Sequence, residues 1–218
     1  YWNAGGAENV TALFWTLAEK YLNLTIGEIP PPIETPNIGL LHPDYNGYFE
    51  SPKKYLEWYL EKAKGKREKG KGVDAPLIPH PSSLPVVGIL LYRKHVITKQ
   101  SYIPRLIRAF EAAGLVPVPI FINGVEGHVA VRDLLTTEDE LERRQQGIVE
   151  TPSLSSEAVR VDAIVSTIGF PLVGGPAGSM EAGRQVEAAK RILSAKNVPY
   201  LVAAPLLIQD LHSWTRQG

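Results

Sequence analysis

Four stretches of this chain are apolar at nearly every position: Val86-Val-Gly-Ile-Leu-Leu91, Leu115-Val-Pro-Val-Pro-Ile-Phe-Ile122, Val161-Asp-Ala-Ile-Val-Ser-Thr-Ile168 and Val198-Pro-Tyr-Leu-Val-Ala203. A strand that alternates apolar with polar residues has one wet face; one without alternation has both faces covered, as in a parallel sheet held between helices. Helical periodicity fills the gaps. Ile103, Leu106, Ile107 and Phe110 recur at three and four and end at Gly114, and Val186, Ala189, Ile192 and Leu193 do the same between Ser179 and Ala195. The expectation for 85–218 is therefore an α/β domain, a parallel-sheet, Rossmann-like or flavodoxin-like layer sandwich with right-handed crossovers. Pro117 and Pro119 mark their strand as a sheet edge or an irregular start. A weaker helix is expected over Val125 to Leu135. Thr137 with Glu140 resembles a capping box that opens a short charged helix to Gln146, and 136–160 reads as a charged surface insertion.

The first part of the chain has a different grammar. Val10, Leu13, Phe14, Leu17 and Leu22 give Asn9 to Leu22 an amphipathic helical pattern, and Ile29-Pro-Pro-Pro-Ile33 with Pro36 cannot continue it. Ile38 to His42 reads as a short strand or turn. Ser51-Pro52 opens a second helix, with Tyr55, Leu56, Tyr59 and Leu60 on one face and an end near Gly65. Residues 1–62 are thus expected to be part of a preceding helical or mixed domain. A basic, Gly/Pro-rich linker is expected at 63–84, because the run Lys62, Lys64, Lys66, Arg67, Lys69 and Lys71 has too few apolar neighbours to offset chain entropy. The competing reading, a patch for nucleic acid or for the carboxylates of a ligand, meets the difficulty that no Phe, Trp or Tyr lies between Ala63 and Pro85 to stack on a base.

Composition removes several function classes. Lys plus Arg and Asp plus Glu stand at 23 each, so no global field recruits nucleic acid. Cysteine is absent, which excludes disulfides, thiolate metal ligands and a cysteine nucleophile. No apolar run approaches the roughly 18 to 20 residues of a membrane span, and a soluble piece is expected. The chain opens at Tyr1 and holds a single methionine, Met180, which leads us to expect a portion of a longer polypeptide.

Gly169-Phe-Pro-Leu-Val-Gly-Gly-Pro-Ala-Gly-Ser179 occupies the position of a phosphate loop, after an apolar run and before a helix. Its chemistry argues otherwise. A Walker loop needs Lys followed by Ser or Thr, and here the corner reads Gly178-Ser179-Met180. Pro176 removes a donor amide, and Glu181 would repel an anion. Backbone geometry, with glycine allowing positive φ, is the alternative.

The same loop, with its preceding Thr167-Ile168, resembles the T-G-F-x-L-V-G-G-P-A segment of the porphyrin-binding large (H) subunits of magnesium chelatases, in the CobN/magnesium chelatase family. Three more segments match in order: Val87-Gly-Ile-Leu-Leu-Tyr-Arg-Lys-His95, Phe110-Glu-Ala-Ala-Gly-Leu-Val-Pro-Val-Pro-Ile-Phe121, and Val198-Pro-Tyr-Leu-Val-Ala-Ala-Pro-Leu206 with Gln209 and Trp214. The chain departs from the pattern at Thr98-Lys-Gln-Ser101, where the family's large subunits often carry Gly-Asp, and over Glu138 to Glu157.

The resemblance implies an N-terminal portion of a subunit that holds protoporphyrin IX. An AAA+ ATPase (I) and an integrin-like (D) partner would use ATP to drive insertion of Mg2+, here a substrate, in chlorophyll or bacteriochlorophyll synthesis. A bacterial cytoplasm or a plastid stroma is the implied location, and no bound cofactor is expected on this piece. Cobalt insertion into a corrin and a non-catalytic partner-docking module are the alternatives. Insertion must strip water from Mg2+ and remove two pyrrole protons, so carboxylates and a base are the expected tools. The five histidines, His42, His80, His95, His128 and His212, have no metal-ligand spacing, so no metal site is expected and the catalytic residues stay unassigned. Ligand contacts are expected where the strands end: Arg93, Lys94 and His95, then Asn123, then Gly174, Gly175 and Ser179. Arg93 and Lys94 can pair with propionates; alternatively, Arg93 and His95 tie neighbouring loops together.

Overall fold

The computed structural model describes residues 1–69, 83–123, 127–149, 154–174, 185–206 and 210–217. The first half comprises α1 (Ala7–Leu22), β1 (Ile38–Leu40), α2 (Pro52–Lys69), β2 (Val86–Tyr92), α3 (Arg93–Ile97), α4 (Tyr102–Ala112) and β3 (Val116–Ile122). The second comprises α5 (Gly127–Val129), which runs into a π-helical turn (Ala130–Leu134), β4 (Leu135–Thr136), α6 (Glu138–Gln145), β5 (Val159–Arg160), β6 (Ala163–Ser166), α7 (Val186–Lys196), β7 (Tyr200–Val202) and α8 (Leu211–Gln217). The main sheet has the order β1-β3-β2-β6-β7. Its last four members are parallel and β1 is antiparallel to β3. Without β1, the second parallel strand lies beside the first and the third and fourth follow on the other side, the flavodoxin-like arrangement.

Parity along the strands divides the core. Val87, Ile89 and Leu91 of β2, with Phe121 of β3, face α3 and α4, where Val96, Ile103 and Ile107 cover them. Leu90, Val118, Ile120 and Ile122 face the other way, onto Tyr55 of α2, Ile192 of α7 and Leu135 of β4. Both faces of the sheet are covered, which is why its strands show no polar alternation.

The prolines of β3 find their place by the same parity. Val116 N donates to Pro85 O on the β2 side, whereas Asn123 N donates to Asn37 O on the β1 side. The amides missing at Pro117 and Pro119 would therefore have pointed toward β1, and β1 pairs only with Ile120, Phe121 and Ile122. Although β3 lies inside the sheet, its first half is an open edge on that side, so no ladder bond is lost.

Several boundaries differ from expectation. Residues 1–62, assigned by sequence to a preceding domain, supply β1 to this sheet and Leu40, Phe49 and Tyr55 to its core. The helix expected to end near Gly65 continues to Lys69, and 70–82 of the expected linker lie outside the described residues. The 136–160 stretch is not simply a surface insertion. Its ends pair as β4 and β5, and Thr137 and Glu140 are both 1% exposed. The N-terminal helix forms, but its apolar face is open: Phe14 is 64% and Leu22 66% exposed, while Asn9 and Ala12 are buried. Asn9 instead clamps the proline-rich connector, its Nδ2 donating to Ile33 O at 2.9 Å and its Oδ1 accepting from Ile33 N at 2.8 Å.

A charge network ties α2 to α4 beside the turn after β1. His42 Nδ1 accepts from Asp44 N at 3.0 Å, so Nε2 carries the hydrogen and donates to Glu111 at 3.2 Å. Lys62 reaches Asp44 Oδ2 at 2.6 Å, and Arg108 bridges Asp44 and Glu111. Burial, then the Lys62 charge, lowers the His42 pKa and keeps the ring neutral at neutral pH. Hydrogen bonds from Arg108 and then Lys62 hold the Asp44 carboxyl well below its ordinary 3.8. A carboxylate whose folded pKa is depressed contributes stability above its unfolded value and loses it as pH falls through the folded one. Arg108→Leu should thus cost about 0.5–1 kcal/mol at pH 7, Arg108 being partly exposed. Urea denaturation at pH 7 and below pH 3 checks this: the gap between the two proteins should narrow as Asp44 protonates.

Candidate functional site

In a sheet of this order, the crevice opens at the carboxyl ends of the two strands between which the chain reverses direction, here β2 and β6. The β2 end passes directly into α3 at Arg93, and α4 begins at Tyr102, so the α3–α4 corner overhangs the crevice. On the other side, Thr167 follows β6, and its N–H continues the ladder by donating to Leu90 O at 2.9 Å.

A polar chain crosses between the two sides. His95 Nδ1 is 2.9 Å from Tyr102 Oη, which is 3.4 Å from Thr167 Oγ1, and Thr167 Oγ1 donates to Leu90 O at 2.9 Å. Because the threonine hydrogen goes to the carbonyl, its oxygen is free to accept from Tyr102, whose oxygen in turn accepts from His95 Nδ1. In this polarity Nε2 of His95 is the bare acceptor. Burial, and then the neighbouring Lys94 charge, lowers the His95 pKa, which favours the neutral ring. Tyr92 packs edge-on against both His95 and Phe170, at 5.3 Å between centroids in each case. Tyr102 also lines an open groove of about 580 Å³ with Arg105 and Leu206. A neutral imidazole acceptor held by a tyrosine, with aromatic rings beside it, can take a proton from, and pack against, a flat aromatic substrate.

The residues expected at strand ends separate in space. Arg93 turns from the crevice to the N-terminal connector, where its guanidinium donates to the carbonyls of Thr35 and Pro36. That is the loop-tying arrangement. Lys94 is exposed beside His95, and Asn123 is exposed at the end of β3, where its N–H bonds Asn37. Gly174 adopts φ 110°, which an L side chain rarely does, so this loop position requires glycine for its backbone. Gly175 and Ser179 lie outside the described residues. Sequence does not single out Tyr102 and Thr167 as site residues, although Thr167 opens the glycine-loop motif. Nothing in their spacing announces a contact across 65 residues.

Among the described residues, no group of three or more His, Asp or Glu is placed to hold a metal ion, and no helix is long and apolar enough to cross a membrane.

Comparisons with known proteins extend over the whole chain. The family model described as CobN/Magnesium Chelatase matches residues 1–218. The magnesium-chelatase H subunit of Chlorobaculum parvum is 34% identical over 218 residues, covering 100% of this chain and 14% of that protein. The protein of the same name from Rhodobacter capsulatus is 26% identical, covering 100% of this chain and 15% of its own length. The chloroplastic magnesium-chelatase ChlH subunit of Oryza sativa subsp. indica is 27% identical over 98% of this chain and 14% of that protein. Among solved structures, the catalytic subunit of cobaltochelatase from Mycobacterium tuberculosis aligns with 97% of this chain and 13% of its own, at 22% identity and a TM-score of 0.44. The chain thus spans only 14–15% of the length of these curated relatives. With the family model covering every residue, the chain belongs to the CobN/magnesium chelatase family.

Proposed function

We propose that this chain is a portion of a magnesium chelatase large subunit, which holds protoporphyrin IX while partner subunits couple ATP hydrolysis to Mg2+ insertion. The reading is carried by one observation, the 34% identity over the full chain to a protein named as a magnesium-chelatase H subunit. The reaction is that of a ligase forming nitrogen-metal bonds, and the implied partners are an AAA+ ATPase (I) and an integrin-like (D) subunit. The relatives come from bacteria and from a plant protein named as chloroplastic, which supports a bacterial cytoplasm or a plastid stroma as the location.

Within this reading, the crevice between β2 and β6 is the part of the chain suited to the macrocycle. Tyr92 and Phe170 offer ring edges and faces, and Nε2 of His95 offers a proton acceptor for a pyrrole N–H. Lys94, beside it, offers a cation for a propionate. Mg2+ and ATP enter as substrates of the complex.

The test is metallation by the full-length subunit with its two partners, followed by the fluorescence of the magnesium porphyrin. Product formation should require Mg2+, ATP, protoporphyrin IX and both partners together. Failure with magnesium and protoporphyrin, with cobalt inserted into a corrin instead, would transfer the chain to the cobalt branch of the family.

A further inference from the structure

Away from the β2–β6 crevice, the π-helical turn, α6 and α7 line an open cavity of about 570 Å³. That volume lies in the range of small-molecule sites. Val173 and Ile192, 6% and 7% exposed, and Ala188 form an apolar wall, while Arg132, Arg143 and Arg191 reach the same space from three elements. The guanidinium groups are not equivalent. Arg132 is held by both oxygens of Asp133, at 2.6 and 2.7 Å. Arg143 donates to Ser194 O at 3.3 Å and lies 3.6 Å from Asp139. Arg191 makes no hydrogen bond or ion pair among the described residues.

The walls are fixed in place before any ligand arrives. Lys196, buried behind the cavity, donates to Arg132 O at 3.1 Å and Leu135 O at 2.6 Å, anchoring the π-helical turn from beneath. Such turns inside helices recur at functional sites. The Arg132 and Arg143 guanidinium groups are already held, so the Arg191 side chain is the part that orders on binding, which limits the entropic cost. Among the described residues at the cavity, two aspartates are set against three arginines, a surplus of one positive charge. That suits a single carboxylate and is too little for a polyphosphate, and the apolar wall requires an apolar body attached to it.

We propose that this cavity binds an amphipathic organic acid, with its carboxylate on Arg191 and its apolar body along Val173, Ala188 and Ile192. A tetrapyrrole acid and a long-chain fatty acid share that chemistry. The proposal does not depend on the chelatase reading, and metallation by the full-length complex can succeed whether or not this cavity is occupied.

Isothermal titration of the 218-residue chain with deuteroporphyrin IX, its dimethyl ester and laurate tests it, with Arg191→Glu and Arg191→Lys alongside. Arg191 is exposed, so both variants should keep the wild-type thermal midpoint. The expected result is saturable binding of at least one acid, weakened tenfold or more by Arg191→Glu and partly retained by Arg191→Lys. Deuteroporphyrin binding that Arg191→Glu weakens, without laurate binding, assigns the site to a tetrapyrrole acid, and in that case the ester should bind at least tenfold more weakly; deuteroporphyrin binding that Arg191→Glu leaves unchanged belongs to the β2–β6 crevice. Binding of laurate alone assigns it to a fatty acid. The proposal is overturned if neither acid binds, if Arg191→Glu binds as wild type does, or if the ester binds as tightly as the diacid.

Discussion

Glu140→Leu is expected to destabilise the chain by about 3–5 kcal/mol, the cost of stranding a buried charge. Lys196→Met should cost distinctly less. The asymmetry follows from how the charges are shared. Lys196 is 1% exposed, and among the described residues its ammonium has a single ion-pair partner, Glu140 Oε2 at 2.7 Å; its other acceptors there are the carbonyls of Arg132 and Leu135. Glu140 has two cationic partners, since Arg144 donates to Oε1 at 2.9 Å, and Thr136 Oγ1 donates to Oε2 at 3.0 Å. Removing the lysine leaves the carboxylate paired; removing the carboxylate leaves an ammonium among carbonyls. Urea denaturation at pH 7 measures both losses. The double variant Glu140→Leu/Lys196→Met should recover at least half the deficit, because an apolar pair can replace a buried ion pair at little cost.

The same pair gives a pH signature. Burial lowers the Lys196 pKa below its ordinary 10.5, with Glu140 pulling it back up. A base whose folded pKa is depressed binds fewer protons folded than unfolded between the two values. Stability therefore rises with pH through that window, up to 10.5. Without Glu140 the window opens at lower pH. The deficit of Glu140→Leu should accordingly shrink as pH rises toward 10.5, and a deficit that stays constant would mean the loss comes from packing instead.

This pair also marks where sequence reasoning stops. The capping box at Thr137 is legible, and Thr137 Oγ1 does accept from Glu140 N at 3.1 Å. The local pattern cannot say that the Glu140 side chain turns inward to a lysine 56 positions later. The charges of α6 therefore suggest a solvated insertion, and β4 and β5, two residues each, are too short to carry a period. The long strands are legible because burial on both faces leaves no alternation, and the parallel order follows from the helices between them. At the candidate site, position is legible and partners are not. Arg93 and His95 follow a strand end as expected, yet Arg93 bonds the connector at 35–36 and only His95 joins the polar chain to Thr167. The apolar stripe of α1 is legible as a stripe; its burial depends on what lies against it, which no local pattern encodes.

Gly88→Val is expected to cost about 3 kcal/mol, the upper part of the range for overpacking a filled core. Gly88 sits in the middle of β2, paired with Val118 on one side and Ile164 on the other, so the backbone beneath it is fixed by two ladders. A Cβ built there would lie 2.8 Å from Leu135 Cδ1 and 3.7 Å from Val161 Cγ1. Leu135 is fully buried, and its carbonyl is tied to Lys196, so its backbone cannot retreat without disturbing the ion pair. Only its side chain can yield. Gly88→Ala should therefore fall near zero to about 1 kcal/mol, because the relief of glycine's conformational entropy in a strand offsets a modest shift of one methyl group. The branched methyls of valine have no such room. Adding Leu135→Ala to Gly88→Val should restore part of the loss by opening the space the new side chain needs, whereas Leu135→Ala alone should destabilise by about 2–4 kcal/mol. Chemical denaturation of the four proteins yields the coupling. A double variant no better than the sum of its parts would place the strain in the β2 backbone, and would remove the close packing of β4 over β2 as the reason this strand carries glycine.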